Sequence, residues 1–224
     1  MSRRRVWVSW SSGKDSTFAL DAARRDPRLD VAGLLTTLNG DADRVAMHAV
    51  RRTLLEAQAA SIGLPLHQVT LPWPCPDAVY EERLAAALAS ARGQGVEAIV
   101  FGDLFLADVR AYREAALAGS GIEPLFPLWE QPTVALARDM LAAGVRAILT
   151  CVDPAQVPAN LAGRTFDEDL IAALPSGADP CGENGEFHTF VWDGPGFSEP
   201  VDVVRGEIVE RDGFVFCDLL PATQ

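Results

Sequence analysis

Apolar and polar positions change period along the first half of the chain in a regular order. Short apolar runs with the length of buried strands lie at residues 5–9, 31–37, 66–71 and 98–101. Segments with the spacing of amphipathic helices lie at residues 17–25, 44–62, 77–91 and 107–118. Strands and helices that alternate in this way predict an α/β fold with a doubly wound parallel sheet.

The pattern changes in the second half of the chain. A helix near residues 134–143 and a strand at residues 147–151 close the alternating region, and Thr165 to Glu168 predict a capping box for a short helix. The later predicted strands lie at residues 186–192, 201–204, 207–211 and 214–219, the last after an Asp212-Gly213 turn. We therefore expect a main domain over residues 1–130 and a smaller C-terminal α+β domain over residues 131–224.

Composition narrows the classes of function. No apolar run approaches the eighteen residues of a membrane span, so we expect no membrane partner and a cytoplasmic location. A formal net charge of -12 without a strong basic run argues against nucleic acid as a partner. Four cysteines without a C-x-x-C pair predict buried thiols rather than zinc or a disulfide framework.

A Ser/Gly loop between the first predicted strand and its helix carries the strongest chemical signal. Lys14 is the single lysine among 19 basic residues, and it lies inside the segment Ser-Ser-Gly-Lys-Asp-Ser. A helix N-terminus offers backbone N–H groups to an anion, and an ammonium group suits a phosphate oxygen. The predicted nucleotide-binding residues are Ser11, Ser12, Gly13, Lys14, Asp15 and Ser16 of this loop, together with Gly102.

The loop is not a Walker A motif. Five positions before Gly13 stands Val8 instead of glycine, and Asp15 follows Lys14 where that motif has Ser or Thr. The segment resembles the pyrophosphate loop (PP-loop) of the N-type ATP pyrophosphatases, whose usual sequence is Ser-Gly-Gly-x-Asp-Ser. This resemblance implies a Rossmann-like fold of the HUP type. Ser12 departs from that pattern, which is harmless if this residue does not need a positive φ angle.

Further segments resemble the diphthine-ammonia ligase family over nearly the whole chain. They are residues 101–105, residues 127–129, residues 151–153 and the run Cys-Gly-Glu-Asn-Gly-Glu-Phe-His-Thr-Phe at residues 181–190. The resemblance implies an ATP-dependent ligase that adenylates a carboxylate, releases pyrophosphate and lets ammonia attack to leave an amide. The implied substrates are ATP, ammonium and a carboxylate-bearing acceptor, which in that family is diphthine on an elongation factor.

A second polar cluster accompanies the loop. Alternation along the predicted strand places Glu186 and His188 on one face, and Glu183 precedes them in a glycine-rich loop. Two carboxylates and an imidazole suit a proton acceptor for ammonium or a group that orients the acceptor. From spacing alone, a polar strand edge with a solvated histidine is the competing interpretation.

Gly102 and Asp103 end a predicted parallel strand, at the edge of the sheet where ligands of such folds bind. Asp103 is the candidate ligand for Mg²⁺, and an N-cap for the next helix is the alternative. His48 on the predicted helix 44–62 is interpreted as structural. Arg110 and Arg113 could counter phosphate charge, but a solvated helix face is the favoured interpretation. The predicted catalytic residues are Lys14, Asp103, Glu183, Glu186 and His188.

The sequence leaves other functions open beside the amide ligase. The same scaffold serves RNA sulfur or nitrogen transfer, although paired cysteines are absent here. A nucleotide-binding module without turnover would keep the loop and lose the second cluster. An Ala- and Arg-rich composition suits a GC-rich bacterium, whose acceptor would differ from diphthine.

Overall fold

The computed structural model describes residues 2–45 and 48–222. The strands of this part are β1 (Arg4–Ser9), β2 (Leu29–Asn39), β3 (Arg44–Val45), β4 (Leu66–Leu71), β5 (Ala98–Val100), β6 (Glu123–Leu125), β7 (Arg146–Val152), β8 (Thr165–Phe166), β9 (Phe187–Asp193), β10 (Val203–Arg211) and β11 (Phe214–Pro221). The helices are α1 (Lys14–Arg25), α2 (Arg52–Ile62), α3 (Asp77–Gly93), α4 (Ala107–Leu117), α5 (Thr133–Ala142) and α6 (Glu168–Ala173), with a 3₁₀ turn at Ala159–Leu161.

The first sheet consists mainly of parallel strands in the order β4, β2, β1, β5, β6. β3 adds a short antiparallel pairing at the end of β2. Val6, Trp7 and Val8 of β1 are all buried because helices cover both faces of the sheet. The chain turns to opposite sides after β1 and after β5, so a crevice opens between the carboxyl ends of these strands. The predicted α/β fold is confirmed.

The second sheet is antiparallel and is organised around β7. β9 pairs along one edge of β7, and β8 and β11 pair along the other edge, while β10 and β11 form a hairpin. Asp212 and Gly213 both have positive φ angles, as the predicted two-residue turn requires. β7 belongs to this sheet, so the prediction that residues 147–151 close the parallel region is corrected.

Both sheets pack on one continuous hydrophobic core. Val8 and Leu34 of the first sheet and Leu149 and Phe190 of the second belong to the same buried cluster. A second cluster lies on the other face of the parallel sheet, around Trp7. The loop after β1 is held against β9, because the N–H of Val191 donates to the carbonyl oxygen of Ser12.

The predicted helix 44–62 is wrong in its first part. Arg44 and Val45 form β3, Ala49 has a φ angle of 53°, and α2 begins at Arg52. Arg44 and Arg51 both pair with Asp218 of β11, which favours a short turn over a continuous helix. Met47 of the predicted helix lies outside the described residues.

α3 begins at Asp77, the first residue of the predicted helix 77–91, and Pro76 is at its N-cap position. The predicted capping box differs from the structure. α6 is capped by Asp167, whose Oδ1 accepts the N–H of Leu170 at 2.7 Å, because Thr165 is already part of β8. In the described residues, none of the helices combines the length and the hydropathy needed to cross a membrane.

Candidate active site

A cavity of about 500 Å³ lies at the carboxyl ends of the parallel strands and reaches the second sheet. This volume falls in the usual range of small-molecule sites. Eight of the predicted site residues line it, namely Ser11, Lys14, Asp15, Ser16, Gly102, Asp103, Glu183 and His188. The other three predicted site residues, Ser12, Gly13 and Glu186, do not line the cavity.

Ser12 supports the loop from outside the cavity lining. Its backbone adopts a φ angle of 70°, a conformation that favours glycine, and its side chain is buried. Its carbonyl oxygen accepts the N–H of Val191 at 3.0 Å and the amide of Gln58 at 3.1 Å. Ser12 does adopt a positive φ angle, so its departure from the glycine of the family pattern is not harmless. The loop carries backbone strain at this residue.

Two glycines allow the loop to be approached closely. A Cβ atom on Gly13 would lie 2.9 Å from Cε1 of His48 and 3.3 Å from the carbonyl oxygen of Thr189. A Cβ atom on Gly102 would lie 2.8 Å from the carbonyl carbon of Asp15. Neither contact is possible for a larger residue without a shift, so packing explains both glycines.

Lys14 is the first residue of α1, and its side chain is only 2% exposed. Nζ donates to Asp15 Oδ2 at 2.9 Å and to the carbonyl oxygen of Cys181. The rings of Phe166 and Phe187 lie 5.9 and 5.3 Å away. Burial is the largest single influence and acts to lower the pKa of Lys14, but Asp15, Cys181 and Glu183 together outweigh it, so the net pKa is raised. The ammonium therefore stays charged.

Asp15 and Asp103 each have a buried carboxylate oxygen without a hydrogen-bond partner among the described residues. Burial raises the pKa of Asp103, and Arg113 opposes that effect. α4 has Leu106 at its N-cap position, so the alternative of Asp103 as an N-cap is excluded. Free carboxylate oxygens are suitable ligands for Mg²⁺, which usually binds one or two carboxylates together with phosphate oxygens. In the described part, no group of three His, Cys, Asp or Glu residues could hold a metal ion by itself.

Glu183 joins the second sheet's glycine-rich loop to the segment after Asp103. Its Oε1 accepts the N–H of Leu104 at 2.7 Å and, more weakly, that of Phe105 at 3.4 Å. Its own N–H donates to Asp179 Oδ2 at 2.9 Å. Burial raises the pKa of Glu183 to about 7, so this carboxyl group exchanges a proton near neutral pH.

Glu186 does not share the position of His188. It precedes β9, is 1% exposed, and its Oε1 accepts the N–H of Asp179 at 2.8 Å and the amide of Asn184 at 3.0 Å. These donors hold the carboxylate inside the loop and away from the cavity lining. The predicted common face of Glu186 and His188 is therefore corrected, and Glu186 shapes the loop that presents Glu183.

Two imidazoles meet beside the loop. The rings of His48 and His188 lie 4.7 Å apart, and Nδ1 of His48 lies 3.1 Å from the carbonyl oxygen of Thr189. Burial lowers the pKa of His48 to about 4 and that of His188 to about 3. Both rings are neutral near pH 7. His48 lines the cavity, which the prediction of a structural residue did not anticipate.

Two further residues, Gln58 and Thr189, were missed, and the favoured interpretation of a third, Arg113, was wrong. Gln58 is fully buried, accepts the indole N–H of Trp10 at 3.1 Å and donates to the carbonyl oxygens of Ser12 and Val191. The hydroxyl of Thr189 accepts the N–H of Lys14 at 3.1 Å. Arg113 lines the cavity instead of a solvated face. A glutamine on the apolar side of a predicted helix was the one available signal for Gln58.

Fold and site together define a Rossmann-like α/β protein of the PP-loop type, with a Ser/Gly loop at the switch point of a parallel sheet. The chain belongs to the diphthamide synthase family. The family model of the diphthamide synthase N-terminal domain matches residues 4–124, and that of the C-terminal domain matches residues 132–220.

Curated relatives of this chain are named diphthine–ammonia ligase. The Schizosaccharomyces pombe protein is 29% identical over 128 residues, which are 55% of this chain and 21% of the relative. The human protein is 31% identical over 100 residues, 42% of this chain and 38% of the relative. The bovine protein is 28% identical over 126 residues, 54% of this chain and 47% of the relative. The chain thus spans less than half the length of each of these relatives.

Proposed function

We propose that this chain is an ATP-dependent ligase that forms a carbon–nitrogen bond and splits ATP into AMP and pyrophosphate. The observation that carries the proposal is one cavity lined by Lys14 of the loop, Asp103 of the parallel sheet and Glu183 of the second sheet. The names of the family and of the curated relatives support the same class of reaction.

In the proposed reaction, a carboxylate oxygen of the acceptor attacks the α-phosphorus of ATP, and the bond to the β-phosphate breaks. The ammonium group of Lys14 and the N-terminus of α1 stabilise the charge that builds on the departing pyrophosphate. Ammonia then attacks the carbonyl carbon of the adenylate, and AMP leaves with one oxygen of the former carboxylate. The products are an amide, AMP and pyrophosphate.

Glu183 is the proposed acceptor for the proton of ammonium. It lines the cavity, and its pKa of about 7 matches a base that works at neutral pH. His188 is buried and neutral, and we propose that it orients the acceptor. Glu186 supports both residues indirectly through the loop over residues 179–186.

Asp15 and Asp103 are the residues that would hold Mg²⁺, because each has a buried oxygen without a hydrogen-bond partner in the described structure. Bound Mg²⁺ would neutralise phosphate charge. We assign residues 1–130 to nucleotide binding and residues 131–224 to the acceptor. The proposed acceptor is diphthine, which the names of the relatives contain, on an elongation factor as the family resemblance implies.

The test is an incubation of the chain with ATP, ammonium and elongation factor that carries diphthine labelled with heavy oxygen in its carboxylate. The proposal predicts an amidated factor and the transfer of one heavy oxygen to AMP, both seen by mass spectrometry. An amidated factor with unlabelled AMP would contradict the adenylate. A factor left unchanged while ATP is still split would refute diphthine as the acceptor.

A further inference from the structure

Arg113 lies in the wall of the active-site cavity, on α4, although its helix position alone gives no reason for a special role. Its guanidinium carbon lies 5.3 Å from the centroid of the Phe101 ring, which lines the same cavity. Stacking on an aromatic ring fixes the plane of a guanidinium and leaves its edge free to bind.

The edge of this guanidinium is not satisfied by the protein. Nε of Arg113 is buried and has no hydrogen-bond partner in the described part of the chain. Its charged neighbour, Oδ2 of Asp103, lies 3.6 Å away, close enough for attraction and too far for a hydrogen bond. Buried polar atoms are nearly always hydrogen bonded, so the unpartnered N–H of Nε points to an acceptor that the protein does not supply.

An anion in the cavity has few positive partners, because the lining also holds the carboxyl groups of Asp15, Asp103 and Glu183. Among the lining residues that the structure describes, the two basic side chains are Lys14 and Arg113. The ammonium group of Lys14 already donates to Asp15 and to the carbonyl oxygen of Cys181. A substrate with phosphate and carboxylate groups therefore needs a further donor, and Arg113 has a buried N–H to offer.

We propose that Arg113 binds an anionic oxygen of the substrate, either a phosphate oxygen of ATP or the carboxylate of the acceptor, while Phe101 holds the guanidinium in the cavity. This proposal rests on the proposed function for the identity of the anion. It makes Arg113 a substrate-binding residue, whereas Asp103 beside it keeps the role of the Mg²⁺ ligand.

The test compares Arg113→Gln with Arg110→Gln by calorimetric titration with ATP, AMP and pyrophosphate. Arg110 is a matched control because it lies one turn earlier on α4, pairs with Glu114 and stacks between Phe126 and Trp129 outside the cavity lining. A charge-assisted hydrogen bond predicts a loss of at least about tenfold in affinity for Arg113→Gln. Arg110→Gln should stay within about twofold of the wild type.

The three ligands locate the anion. A loss for ATP and AMP places it at the α-phosphate, and a loss for ATP and pyrophosphate places it at the outer phosphates. Unchanged affinity for all three with a raised KM for diphthine-bearing elongation factor places it at the acceptor carboxylate. Arg113→Lys should recover part of the lost binding, because it restores the charge without the planar fork.

The proposal is overturned if Arg113→Gln binds ATP, AMP and pyrophosphate as Arg110→Gln does and shows no raised KM, or if the wild type binds none of the three anions. A wild type that binds ATP and releases ADP would refute the proposed function alone, since the comparison of the two arginine variants would still stand.

Discussion

Glu183 accepts a backbone hydrogen bond and is also the proposed proton acceptor, and substitutions of this residue separate the two roles. Oε1 of Glu183 accepts the N–H of Leu104 at 2.7 Å, and the 3.4 Å contact with Phe105 adds little. Glu183→Ala removes a hydrogen bond to a charged group, so we expect a loss of about 1.5–2 kcal/mol in the free energy of unfolding, the lower part of the usual range because the site is partly open. Glu183→Gln keeps an acceptor oxygen and should lose less than about 1 kcal/mol.

The effect of Glu183→Gln on activity should be large although its effect on stability is small. Glu183→Gln cannot accept a proton, so ammonium-dependent amide formation should fall by about two to four orders of magnitude while ATP affinity changes little. Urea unfolding followed by tryptophan fluorescence gives the stability, and titration with ATP gives the affinity. A Gln variant that keeps wild-type turnover would refute the role as proton acceptor and leave Glu183 as a clamp on the segment after Asp103.

The pH dependence gives a second readout of the same residue. Because burial raises the pKa of Glu183 to about 7, the deprotonated fraction and the rate should rise with pH through neutrality. His48 and His188, with pKa values of about 4 and about 3, are neutral throughout this range, so neither adds a change of rate with pH there. A wild-type profile that is flat from about pH 6 to pH 8 would contradict this assignment.

Three further substitutions probe the loop and its supports. Gly102→Ala brings a Cβ atom to 2.8 Å from the backbone of Asp15, so it should cost about 1–3 kcal/mol of stability and weaken ATP binding in a titration. Ser12→Gly relieves a φ angle of 70° and should raise the free energy of unfolding in urea by about 1 kcal/mol; a lower free energy of unfolding would refute strain at this residue. Gln58→Leu leaves the indole N–H of Trp10 without its acceptor and should lower stability by about 1–3 kcal/mol; unchanged stability and ATP affinity would show that the loop needs no such support.

The sequence was sufficient for the features that depend on local patterns. The strand, loop and helix around Lys14 could be placed because a buried run, a Ser/Gly segment and a helical spacing follow one another directly. The cavity residue Asp103 could be placed because the carboxyl ends of parallel strands lie at one edge of a sheet. Both inferences need only the order of elements along the chain.

The remaining features depend on contacts between distant segments. The turn around Ala49 is stabilised by pairing of Arg44 and Arg51 with Asp218, which no local spacing reveals. The position of Glu186 inside its loop depends on the N–H of Asp179, seven residues earlier. Arg113 has the spacing of a surface residue, and only the packing of α4 beside Phe101 brings it into the cavity wall.

We propose that the loop around Lys14 directs cleavage of ATP between the α- and β-phosphates. Phosphorus NMR of a reaction with ATP, ammonium and diphthine-bearing elongation factor identifies the bond that breaks. We expect AMP and pyrophosphate in equal amounts, and their loss in Lys14→Ala. Formation of ADP and phosphate would contradict it.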